Sequence, residues 1–147
     1  MGKEEAELVT WTPAFSVGIE IVDEQHKGLL DMVNDMFNHV SGDAAEEDAY
    51  IAEVIQKTVR YIKVHFNTEE DIMIRANFPG YKEHKAAHDA FVLTVVGYID
   101  SFDANGTLAL ADFTRFLKEW ILTHIAVMDK QYFEYFKQSG EQLAISN

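Results

Sequence analysis

Cysteine is absent from the 147-residue chain, which removes disulfides, thiolate zinc sites, iron–sulfur clusters and cysteine nucleophiles. Any bound metal must therefore be held by nitrogen and oxygen. Basic residues are scarce as well: 12 Lys and Arg stand against 25 Asp and Glu, a formal charge of -13. Nucleic acid is disfavoured as a partner on that balance, because phosphate binding needs a basic patch. Proline occurs only at Pro13 and Pro79, and neither interrupts a periodic segment. No apolar run approaches the roughly 20 residues needed to cross a bilayer, so membrane insertion is not expected. The amino terminus, MGKEEAELVT, is charged and has no apolar stretch of the signal-peptide kind. A cytoplasmic, monomeric protein of one domain is the expectation, long enough to bury a core without covalent staples.

Four segments show helical spacing of apolar residues. The first carries Val22, His26, Leu29, Val33, Met36 and Val40 and stops at Ser41-Gly42-Asp43. The second carries Ile51, Ile55, Thr58, Ile62, His65, Glu69 and Ile72 and ends near Asn77. Pro79 suits the first turn of a third helix, with Tyr81, His84, His88, Phe91, Val95, Tyr98 and Phe102. Asn105-Gly106 breaks the chain, and Thr107 suits the cap of a fourth helix with Leu110, Phe113, Leu117, Trp120 and His124. Steps of three and four are the pattern of packed helices, and short connections make neighbours antiparallel. The expected fold is all-α, an up-down-up-down four-helix bundle over residues 19–138. Residues 1–18 form an extended arm over it, and 139–147 a flexible tail.

Polar residues sit where these seams otherwise carry aliphatic or aromatic side chains. They are His26, His65, Glu69, His84, His88 and His124, followed by Asp129. An unpartnered buried carboxylate costs several kcal/mol or more, and no Lys or Arg shares these seams near it. A cation is the natural compensation. His65 and Glu69 are four apart, as are His84 and His88; such pairs lie about 40° apart around a helix and point to one place. His124 and Asp129 are five apart, about 140° on an ideal helix. Both reach the centre only if the helix breaks, tightens or forms a π-bulge, so irregular backbone is expected within 125–129.

Each element alone has an ordinary explanation. A single seam histidine is more often a hydrogen-bonded core residue, and HxxxE or HxxxH recurs by accident. His39, roughly 220° around the helix from His26, is expected on the surface. Seven potential ligands from four converging helices are much harder to obtain by chance.

The set H…HxxxE…HxxxH…HxxxxD resembles the hemerythrin family, especially its single-domain bacterial members. Trp11, Val17-Gly18 and Asp23-Glu24-Gln25-His26-Lys27 fit, as does Trp120-Ile121-Leu122-Thr123-His124 ahead of Asp129. The similarity runs over about residues 10–137. It implies a non-haem di-iron centre (Fe2+/Fe3+) with His84, His88 and His124 on one iron and His26 and His65 on the other. Glu69 and Asp129 would bridge them, with an oxo or hydroxo group as third bridge. One position on the second iron would stay open, and the resemblance implies that O2 binds there reversibly as a hydroperoxide. Five imidazoles and two carboxylates supply less negative charge than carboxylate-rich di-iron sites, which should disfavour irreversible oxidation.

Leu29, Ile62, Phe66, Trp120 and Ile121 lie one turn from these residues and are expected to wall the O2 pocket, although ordinary core packing also makes them apolar. Gln25, Asp23 and Tyr132 are candidates for orienting the ligands from behind. The expected function is O2 carriage, storage or delivery to an oxygen-consuming protein, without catalysis. The alternatives are a di-iron enzyme or sensor handling peroxide, nitric oxide or redox state, and a plain helical interaction module. The last leaves Glu69 and Asp129 without an account.

Overall fold

The computed structural model describes residues 8–105, 108–131 and 134–135. Four helices follow a short 3-10 turn at Pro13–Phe15: α1 Glu20–Asn38, α2 Ala44–Arg75, α3 Tyr81–Asn105 and α4 Leu110–Thr123. α4 continues directly into a π-helical segment, His124–Asp129. The helices form the expected all-α four-helix bundle, with no strand among the described residues.

Local chemistry sets the ends of these elements. α1 stops at His39, and Gly42 then turns the chain with φ +83°, a region glycine enters without a Cβ clash. Asp43 starts α2 by accepting a hydrogen bond from the Glu46 amide at 3.1 Å. Glu47 reaches back to accept from the amides of Ser41 and Gly42, both at 2.8 Å. The loop after α2 contains Asn77 at φ 55°, a left-handed conformation asparagine tolerates.

Two expected boundaries differ. Pro79 lies in the turn ahead of α3 rather than in its first turn, since the helix begins at Tyr81. Thr107 lies outside the described residues, and the position capping α4 is Ala109, which makes no side-chain cap. The preceding arm is not extended throughout, because it contains the 3-10 turn. Residues 1–7 of the arm lie outside the described residues. Leu8 and Val9 are clamped on α1 by Asn34, whose Oδ1 accepts from both amides and whose Nδ2 donates to the Val9 carbonyl. The expected tail after Gln138 lies outside the described residues.

Apolar burial divides into two layers. The larger takes Leu29, Val33 and Met36 from α1, Ile55 and Ile62 from α2, Phe91 and Val95 from α3, and Phe113, Leu117 and Ile121 from α4. A smaller cluster at the other end holds Val17, Val22, Ile72, Met73 and Ala76. On α1, His26 falls between Val22 of the small cluster and Leu29 of the large one. On α2, His65 and Glu69 fall between Ile62 and Ile72. A polar layer is thus sandwiched between two dry ones.

Candidate metal centre

All seven residues of this layer are at most 2 % exposed. α1 supplies His26, α2 His65 and Glu69, α3 His84 and His88, and the π-segment His124 and Asp129. The π-segment settles how a five-residue spacing reaches one centre. Widening the backbone bonding to i→i+5 brings the fifth residue back toward the face of the first.

Glu69 and Asp129 divide the histidines into two groups. Glu69 Oε1 faces His88 and His124 Nε2, each at 3.1 Å, with His84 Nε2 at 3.6 Å. Its Oε2 faces His26 Nε2 at 3.0 Å and His65 Nε2 at 3.2 Å. Asp129 repeats the division: Oδ1 lies 2.9 Å from His84 and 3.1 Å from His124, and Oδ2 lies 2.7 Å from His26. Each carboxylate therefore straddles a three-histidine side and a two-histidine side. Neighbouring donors on an octahedral cation with bonds of about 2.1 Å would lie about 3.0 Å apart. The observed spacings match that edge.

Hydrogen bonding points the same way. Both Asp129 oxygens and His65 Nε2 are fully buried yet make no hydrogen bond of acceptable geometry among the described residues. His65 Nδ1 lies 2.7 Å from Gln25 Oε1, an acceptor, so Nδ1 carries the proton. Gln25 is held in turn by donating to Thr68 Oγ1 at 3.1 Å, while Thr68 donates to the Val64 carbonyl. His88 Nδ1 donates likewise to Glu70 Oε2 at 2.8 Å. In the neutral imidazoles, Nε2 is then a bare lone pair aimed at carboxylate oxygens. Lone pairs do not face lone pairs at 3 Å without a proton or a cation between them.

Charge in the metal-free chain follows from this crowding. Burial alone would lower His26 and His84, but the adjacent Asp129 and Glu69 carboxylates outweigh it and hold both at about 9. Burial wins at His65, which is lowered despite Glu69. Burial would raise Glu69, yet the surrounding histidines, His65 and His124 foremost, hold it well below the usual carboxylate range. Two protonated imidazoles thus do the work a metal would otherwise do. Loading a metal displaces those protons.

Residues 17–136 match the family model of the hemerythrin HHE cation-binding domain. The chain belongs to the hemerythrin family. It is 30% identical over 137 residues to a bacteriohemerythrin of Stenotrophomonas maltophilia, covering 93% of this chain and 87% of that one. A bacteriohemerythrin of Methylococcus capsulatus is 32% identical over 126 residues, covering 85% and 94% of the two chains. The crystal structure of a wild-type hemerythrin superposes with a TM-score of 0.76 at 31% identity, over 86% of this chain and 96% of that one.

Within this hemerythrin-family site, the other expected residues are distributed unevenly. Leu29, Ile62, Phe66 and Ile121 are buried in the large apolar layer, with Trp120 packed on it. Phe66 stacks on His88 at 3.8 Å and Trp120 on His124 at 4.4 Å, so both stand against the three-histidine side. Gln25 orients a histidine, as described. Asp23 does something else: it accepts from Ser16 Oγ and the Val17 amide, tying the arm to α1. Tyr132 lies outside the described residues. Glu70 escaped the sequence reading, its only signal being its place beside Glu69. His39 is on the surface, its Nδ1 donating to the Asp35 carbonyl at 2.8 Å. No described helix is long and apolar enough to cross a membrane.

Proposed function

We propose that this chain binds O2 reversibly at a two-iron centre. His84, His88 and His124 would hold one iron, His26 and His65 the other, with Glu69 and Asp129 bridging them. The observation that carries the reading is the unequal division of the donors. Three nitrogens and two carboxylate oxygens face one side, whereas two nitrogens and two oxygens face the other. The two-histidine side therefore has one protein donor fewer, and a metal held there would keep one coordination position for a small molecule. When bound, two irons would supply the two-electron chemistry that takes up O2 and releases it.

The protein's part is positioning and dryness. Gln25 and Glu70 hold one imidazole on each side in the tautomer that offers Nε2 to a metal. Leu29 and Ile62, one turn from His26 and His65, support an apolar wall at the side with fewer donors, and Ile121 is buried in the same apolar layer. Phe66 and Trp120 cover the imidazoles of the other side and keep water from them. We place the protein in the cytoplasm as a monomeric carrier or store delivering O2 to an oxygen-consuming protein, with residues 19–138 as the folded domain.

The test is a spectral titration of iron-loaded, reduced protein. About two irons per chain, and a visible band that appears with air, fades under argon and returns with air, support the carrier. A band that fades once while peroxide or nitric oxide is consumed would replace it with the enzyme. Protein that folds fully yet takes up no iron would refute both.

A further inference from the structure

A cavity that shares no residue with the metal centre is lined by α1, α4 and the arm. It encloses about 260 Å³. Leu8, Phe37, Val40 and Ala111 make an apolar wall, while α4 contributes Arg115 and Lys118, three residues apart. Phe37 leaves 36 % of its surface open to solvent here. In a chain with 25 acidic and 12 basic residues, the charged residues of this lining are two cations and one anion, Glu119.

Among the described residues those cations are under-used. Lys118 makes no ion pair among the described residues. Arg115 reaches Asp112 Oδ1 only at 3.4 Å with both side chains more than half exposed, a contact that occupies one of five guanidinium N–H groups. Thr114 lines the same cavity, and its buried hydroxyl has no hydrogen-bond partner among the described residues. Helical threonines more often bond back to the carbonyl four residues earlier.

We propose that this cavity binds a small amphipathic carboxylate, a straight-chain alkanoate of roughly six to ten carbons. Its chain would lie on Leu8, Phe37 and Val40, and its carboxylate would be held by Arg115 and Lys118. The size follows from comparison: a dry cavity of about 150 Å³ takes up benzene, and this one is larger and open at one side. A head group of opposite sign is excluded by the two cations. An anionic bilayer is opposed by the charge of the whole chain and by the concave shape.

The full-length protein is titrated calorimetrically with octanoate, butanoate and octylamine, and separately with vesicles of anionic phospholipid. One octanoate per chain is expected to bind with a sub-millimolar Kd, butanoate at least tenfold more weakly, and octylamine not saturably. Arg115→Gln combined with Lys118→Gln should weaken octanoate at least tenfold while helicity and metal uptake stay at parent levels. Ala111→Phe, which fills the cavity, should abolish binding without touching either charge. No saturation by about 10 mM octanoate, equal binding of octylamine, or an unaffected charge variant would overturn the proposal. So would binding to vesicles with none to free octanoate, which would assign the patch to a membrane surface.

Discussion

Replacing Gln25 with Leu separates the two sides of the metal centre. In the parent, the amide oxygen of Gln25 takes the Nδ1 proton of His65 at 2.7 Å, and its nitrogen is anchored on Thr68 at 3.1 Å. Leucine has similar bulk but no acceptor. The buried N–H of His65 is then stranded, costing about 1–3 kcal/mol, and nothing holds Nε2 toward the centre. Losing such an orienting partner typically weakens a metal site by about 10–100-fold, or about 1.4–2.7 kcal/mol. Glu70 still holds His88 on the other side, so the loss should be lopsided. Competition with a chelator under anaerobic conditions should show one iron held as in the parent and one released at about 10–100-fold lower chelator. Gln25→Glu, which keeps an acceptor, should restore most of the loss. Two irons held as in the parent, or both weakened equally, would refute the assignment of Gln25 to one side.

Gly28→Ala should destabilise the fold, although alanine is favoured over glycine in a helix by about 0.5–1 kcal/mol. The new Cβ would lie 2.7 Å from Tyr61 Cζ and still closer to its hydroxyl oxygen. Tyr61 must then leave its bond to the Gln25 carbonyl at 3.1 Å, so a net loss of about 1–2 kcal/mol is expected by thermal unfolding, reversed when Tyr61→Leu is added. The metal-free protein should lose stability between pH 6.5 and about 9, because His26 and His84 bind protons more tightly folded than unfolded. Their contribution is complete below the unfolded value and disappears through the folded one. Zinc-loaded protein, whose imidazoles carry no such protons, should show a flat melting temperature over that range. His39→Ala should leave iron content and spectrum unchanged, since that ring stacks on Tyr50 at 3.9 Å on the surface; altered iron content would contradict the placement of the donors.

Helices, seams and the seven clustered polar residues were readable in order along the chain because their causes are local. Spacings of three and four residues put His65 with Glu69 and His84 with His88 on single faces whatever surrounds them. The five-residue gap from His124 to Asp129 demanded irregular backbone, and a π-segment is what the chain adopts. Which residues lie behind the donors had no such local cause. Glu70 reaches His88, Asp23 turns to the arm instead of a ligand, and Phe66 and Trp120 cover the three-histidine side. Those outcomes depend on how each helix is rotated about its own axis against the next, and on how the arm crosses α1. Periodicity names the buried face of a helix; only close packing of four such faces chooses the atom each side chain meets.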